Sequence, residues 1–215
     1  MIGTGEVGQM LKIYGRSNSI NVDKTLWCAS ELGLAFERVD VGGAFGGNHE
    51  PWYLALNPNG LVPTIDDDGF VLWESNTIVR YLAAKHATGT LWPSGLLTRA
   101  LAERWMDWEA TTLARDMSTL FVGLVRTKPE NRDVAALEKA RATLAEVWAR
   151  LDAHLADNRY VAGDDFTMGD IPAGALAYRW FSLSIHRPLL PNLEAWYLKL
   201  RERPAYREHV VRPLS

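Results

Sequence analysis

The 215-residue chain reads as an α/β domain followed by an all-helical one. Three observations predict this. The first 86 residues carry the pattern strand, helix, strand, then hairpin and helix. Ala87-Thr88-Gly89-Thr90 and Trp92-Pro93-Ser94-Gly95 then break the chain. Beyond them, apolar residues recur at helical spacing. We therefore expect one domain over 1–86, a linker over 87–96 and a helical bundle over 97–215.

Residues 1–10 are glycine-rich and read as a lead-in. Leu11–Tyr14 is a short apolar run, hence a strand. Val22, Leu26, Ala29 and Leu32 fall at helical spacing, and Gly33 stands at a helix C′ position, so Asn21–Leu32 is a helix. Phe36–Val41 alternates with period two and reads as a strand. Residues 42–48 (GGAFGGN) form a loop, and Pro51–Leu56 a short helix. Val62–Ile65 and Val71–Trp73 are strands joined by Asp66-Asp67-Asp68-Gly69. Ser75–His86 is a helix with Ile78, Val79, Leu82 and Ala83 as its stripe. Strand–helix–strand followed by hairpin and helix predicts a mixed four-stranded sheet with helices on both faces. In the second half, Leu97–Leu124 and Asp133–Leu155 read as long helices. Asp170–Ser184 is apolar nearly all round and should be buried. Leu193–Arg203 stops before Pro204.

Composition narrows the function. Lys and Arg number 23 against 26 Asp and Glu, a net charge of −3, with no basic stripe for a nucleic acid. Cys28 is the one cysteine, which excludes an intrachain disulfide and CxxC chemistry and points to a reducing compartment. No run approaches the ~18 apolar residues of a membrane span, and no secretory leader is visible. The expectation is a cytoplasmic protein without a membrane partner. His49, His86, His154, His186 and His209 are scattered without metal-ligand spacing, so no metal is expected.

Several short motifs bear on chemistry. Gly3-Thr4-Gly5-Glu6-Val7-Gly8 matches GxGxxG, but no strand can precede it, so a nucleotide site is not expected. Val62-Pro63 opens an apolar run with a residue that cannot donate to a ladder. Either the bond is cis in a tight turn or the strand is an edge. Glu74-Ser75 stands at a strand-to-helix junction. Ser75 can cap the helix or hold an anion there, and Glu74 can grip an ammonium. That pair fits an α-amino-acid head. Arg16-Ser17-Asn18-Ser19-Ile20-Asn21 places hydroxyl and amide donors over the start of the first helix, where a thiolate would be stabilised. Thr167-Met168-Gly169-Asp170 has capping-box spacing. Trp105 and Trp108 share a helix face and serve either the core or a pocket.

Taken in order, these stretches resemble the cytosolic glutathione transferase superfamily. The resemblance runs from about Leu11 to Pro213. It is carried by Asn57-Pro58-Asn59-Gly60-Leu61-Val62-Pro63, by Trp73-Glu74-Ser75-Asn76-Thr77-Ile78-Val79-Arg80-Tyr81-Leu82, by Thr167-Met168-Gly169-Asp170-Ile171, and by Pro191-Asn192-Leu193-Glu194-Ala195-Trp196-Tyr197 with Arg203-Pro204-Ala205. The opening Gly15–Lys24 looks most like bacterial members of the Ser/Asn type, near the Nu and theta groups.

The resemblance implies a thioredoxin-like first domain, a helical second domain, a homodimer and a detoxifying enzyme with glutathione as co-substrate. Ser19 and Asn21, with Ser17 beside them, would contact the sulfur. Val62, before a cis Pro63, would pair by backbone with the cysteinyl unit. Glu74 and Ser75 would hold the γ-glutamyl head, and Asn48 or His49 the glycine carboxylate. Leu61 stands where a lysine is often found, so that contact is missing or replaced. The tyrosine used by several animal classes has no counterpart, since Tyr14 belongs to the strand. A small electrophile would sit on Trp105, Trp108, Phe121 or Trp180. Two other readings remain open: glutathione-dependent disulfide or peroxide reduction, and a non-catalytic interaction protein on the same fold.

Overall fold

A computed structural model describes residues 10–215. The GxGxxG match at residues 3–8 lies outside the described residues. The chain runs β1 (Leu11–Tyr14), α1 (Ile20–Glu31), β2 (Phe36–Val39), α2 (Pro51–Leu54), β3 (Thr64–Asp67), β4 (Phe70–Trp73) and α3 (Ser75–His86). The sheet order is β2-β1-β3-β4, with β1 parallel to β2 and the other pairs antiparallel. This is the expected mixed sheet of a thioredoxin-like domain. β3 starts at Thr64, two residues later than the apolar run suggested. Pro63 has no N–H for the ladder and follows a cis bond, so the pairing starts after it.

The helical half begins with α4 (Leu96–Trp108). The expected single helix over Leu97–Leu124 is interrupted twice. A π-helical segment, Glu109–Leu113, leads into α5 (Ala114–Phe121), and a second, Val122–Arg126, follows it. Each π turn inserts a residue and turns the apolar stripe, which a fixed helical period cannot report. Then come α6 (Val134–Leu155), α7 (Asp170–Ser182), α8 (Pro191–Arg201) and α9 (Pro204–His209). Asp133 caps α6 by accepting the Ala136 N–H at 2.9 Å. Reading Pro204 as a stop missed α9. Proline ends the helix before it but suits the first turn of a new one.

The two halves share one core. Trp27 of α1 lies edge-on to Tyr206 of α9 at 4.7 Å and against Phe166 at 5.8 Å between centroids. Trp148, Trp180 and Trp196 are also fully buried. At the start of α7 the buried Asp170 carboxylate accepts N–H bonds from Val161 and Thr167, both at 3.0 Å, and the Trp196 indole N–H at 2.9 Å. Burial pushes its pKa up to about 6 against the pull of those donors. It ties the loop before α7 to α8.

Candidate active site

Register along the sheet shows where a site can form. Val39, Tyr14, Thr64 and Trp73 lie side by side across the four strands. At this end of the sheet β1, β2 and β4 finish and β3 begins. Four connections therefore leave from one edge: residues 15–19, 40–50, 61–63 and 74. They carry nearly all the residues singled out from the sequence, and helices α1 and α3 start beside them.

The first connection turns at Gly15. A side chain there would lie 2.4 Å from Cγ2 of Val22 and 3.3 Å from Cβ of Val62, so the turn and the proline loop are in direct contact. Ser19 takes the N-cap position of α1 in extended geometry, and its hydroxyl makes no capping bond. Its carbonyl accepts the Asp23 N–H at 2.9 Å. The Ser17 and Ser19 side chains are half-buried, and neither hydroxyl has a hydrogen-bond partner among the described residues. Asn21 is exposed. Asn18 is engaged, donating its amide to Ser215 Oγ at 3.3 Å.

The proline loop is held by residues the sequence reading passed over. Tyr53 and Asn57 both donate to the Leu61 carbonyl, at 2.7 and 2.9 Å, and both reach Thr64 Oγ1, at 2.9 and 3.1 Å. Burial pushes the Tyr53 phenol pKa up, keeping it a donor. The clamp grips the Leu61 backbone on one side of Val62-Pro63 and the Thr64 hydroxyl on the other. Val62 itself enters no backbone hydrogen bond among the described residues. Leu61 points its side chain outward, 64% exposed. The signal for the clamp was Asn57-Pro58-Asn59-Gly60, a turn built on asparagine bonds to its own backbone.

Asn48 and His49 sit against the same loop. Asn48 donates to the Gly60 carbonyl at 2.8 Å and contacts His49 Nε2 at 3.1 Å. A side chain at Gly60 would lie 2.8 Å from His49 Nδ1, and φ there is +62°, so glycine is required twice over. The Asn48 amide N–H groups are thus spent on the loop itself, while His49 is exposed.

At the last connection Glu74 adopts φ +73° and ψ 110°, unusual for a residue with a side chain. It is exposed, and Ser75 behind it opens α3 with no side-chain partner among the described residues. Next in line, Asn76 donates to the Met106 carbonyl at 2.9 Å and to buried Glu109 at 3.2 Å. Glu109, in the first π segment, accepts from buried Lys24 at 2.9 Å. This chain of contacts fixes the starts of α1 and α3 to the helical half.

The four aromatic residues expected along an electrophile pocket lie at different depths. Trp105, Trp108, Trp148 and Trp180 form a run of indoles, with centroids 4.9, 6.5 and 6.2 Å apart. Trp180 has no exposed surface and Trp105 almost none. Their burial removes Trp105 and Trp180 from a pocket wall, while Trp108 is half-buried. Helical spacing assigns a face, not a depth, and here the face packs into the core. Phe121 differs. With Ser17 and Asn18 it lines a cavity of about 290 Å³ between α1, α5, α7 and the chain end. Cys28 takes no part: it is fully buried, and burial pushes its thiol pKa up, away from the thiolate. No helix among the described residues is long and apolar enough to cross a membrane.

Known proteins agree with this architecture. Residues 18–85 match the family model of the glutathione S-transferase N-terminal domain, and residues 116–204 that of its C-terminal domain. Glutathione S-transferase GstB of Escherichia coli (strain K12) is 44% identical over 96% of this chain and 100% of its own. Glutathione S-transferase 3 of Zea mays is 36% identical over 94% and 93%. Among solved structures, the theta class glutathione S-transferase of the citrus canker pathogen Xanthomonas axonopodis pv. citri, with glutathione bound, superposes with a TM-score of 0.93. It is 52% identical and covers 95% of this chain and 99% of its own. Both halves match and the likeness runs along nearly the whole chain, so the chain belongs to the glutathione S-transferase family.

Proposed function

We propose that this transferase binds glutathione along the sheet edge and activates its thiol on the β1–α1 turn. One observation carries the reading: Ser19 stands at a helix start with its hydroxyl unspent, beside a proline loop whose Val62 backbone is also unspent. Val62 pairs with the cysteinyl unit. Ser75 and Glu74 hold the γ-glutamyl head, and His49 meets the glycine carboxylate. Ser19 then faces the sulfur, with Asn21 and Ser17 as flanking donors. The relative from Xanthomonas axonopodis pv. citri carries glutathione, in support of the ligand.

The energy suffices. A free thiol has pKa ~8.5, and lowering it by ~2 units needs about 2.7 kcal/mol in favour of thiolate. One hydrogen bond to a charged group supplies ~1.5–3 kcal/mol. The N-terminus of α1 adds ~0.3–1 kcal/mol. The activated sulfur attacks a small electrophile held beside Phe121.

The test is thiolate absorbance of the glutathione complex titrated against pH. Ser19→Ala should raise the bound thiol pKa by about one unit or more, and Ser19→Ala with Asn21→Ala further. A curve unmoved in both variants sinks the assignment.

We also propose a cytoplasmic homodimer. Its support is the exposed apolar set Phe45, Trp52, Phe70, Trp73, Leu97 and Leu101 together with the single cysteine. Sedimentation at micromolar concentration should give twice the 24.1 kDa chain mass, and a monomer would refute it.

A further inference from the structure

The cavity beside Ser17 is lined by two guanidinium groups, Arg179 and Arg212, and one carboxylate side chain, Asp23. Two guanidinium groups approach one ring: Arg179 Cζ lies 3.6 Å and Arg126 Cζ 4.9 Å from the Phe121 centroid. Arg179 is more than nine-tenths buried, yet its guanidinium makes no hydrogen bond or ion pair among the described residues. Arg126 donates to the Ser215 carbonyl and to the Asn18 carbonyl, both at 2.8 Å. Burial depresses the pKa of both, Arg179 to about 10 against the pull of Asp23, and Arg16, packed against Gly43, adds a smaller push in the same direction. Arg212 also lines the cavity and pairs with Asp23. Asp23 is the one carboxylate side chain lining this space, and Arg212 already engages it. Of the two lining guanidinium groups, Arg212 pairs with Asp23 and Arg179 is left without a hydrogen-bond partner among the described residues. A buried guanidinium in that state is unfavourable until a ligand completes its donors.

Resting on the transferase reading, we propose that this cavity binds the anionic end of the second substrate, an electrophile bearing a carboxylate, which Arg179 receives with its planar donor fork while Phe121 flanks it. Arginine suits the role because its fork matches a carboxylate and stacks on an aromatic ring. The reacting carbon then lies toward Ser17, on the side where the proposed thiolate sits. With an aryl fluoride, the thiolate forms the C–S bond and fluoride leaves with the C–F electron pair. The thiol proton has already gone to solvent.

The test uses the full chain with saturating glutathione and two matched probes, 4-fluoro-3-nitrobenzoate and 4-fluoro-3-nitrobenzamide, each rate divided by its uncatalysed rate. The benzoate should be preferred at least ~10-fold in kcat/KM. Arg179→Met should lower the benzoate value by roughly 10- to 100-fold, the loss of a hydrogen bond to a charged group, and leave the amide value within about two-fold. A second measurement needs no variant: 3-nitrobenzoate should inhibit turnover of the amide probe at lower concentration than 3-nitrobenzamide does. Equal turnover of the two probes, or equal inhibition, overturns the proposal. Calorimetry on the same samples separates the two readings. Intact glutathione binding without carboxylate preference overturns this inference alone, and absent glutathione binding overturns both.

Discussion

The two walls of the cleft are built in opposite ways. On the sheet side, the proposed binding groups are backbone atoms and short polar side chains carried on four turns that leave one sheet edge. On the helical side, they are long guanidinium side chains reaching from the middle and ends of packed helices. Turns of the first kind are shaped by local sequence, with Gly60, Pro63 and Asn57 fixing the backbone. The second wall depends on how α5, α7 and the chain end meet, which no local motif encodes. On this reading the proposed co-substrate site tolerates little change, and the proposed second-substrate site can vary while the fold stays intact.

The sharpest way to break this contrast is at Trp180. As a core residue, Trp180→Ala should destabilise the chain by about 3–5 kcal/mol, lowering Tm by roughly 10 °C. Weaker binding of the second substrate at unchanged Tm would return Trp180 to the pocket wall. Next comes Asp170. Asp170→Asn sets an amide against donors from Val161, Thr167 and Trp196 and should cost about 2–3 kcal/mol by denaturant titration. Its pKa is raised from 3.8 to about 6 on folding, so in that window the folded chain keeps a proton that the unfolded chain has lost. Wild-type stability therefore falls as pH rises through the window, and its margin over Asp170→Asn should shrink between about pH 4 and 6. A constant margin would show that Asp170 does not titrate there. The mildest effect belongs to the sheet side. Ser75→Ala should raise the glutathione KM by roughly 10- to 150-fold, leaving Tm and the bound thiol pKa in place. A shift of the thiol pKa would mean that the γ-glutamyl and sulfur subsites are coupled.

Much of this was legible in the sequence, for reasons that differ by residue. Leu11–Tyr14 and Ser75–His86 fall where periodicity places them, because both carry a clean apolar stripe. Val62-Pro63 was visible as chemistry because a proline at a strand start breaks a local rule, and Glu74-Ser75 because a carboxylate and a hydroxyl meet at a strand-to-helix junction. Two kinds of information were not visible. The π segments around Glu109 and Val122 shift the register of the long helix without altering its composition. The indoles of Trp105 and Trp180 occupy the right face but at core depth, which depends on α6 packing against them. The arginine cluster is the extreme case. Arg16, Arg126, Arg179 and Arg212 come from four elements across nearly 200 positions, so no spacing joins them.

Glu74 carries a consequence for selection. Its backbone sits at φ +73°, a conformation that costs a residue with a side chain about 1–3 kcal/mol and glycine far less. A screen rewarding heat resistance alone would therefore accept glycine at this position while discarding the carboxylate proposed to hold the glutathione amine. Stability and catalysis pull against each other at a single residue, so a sturdier variant of this chain should be sought at positions remote from this junction.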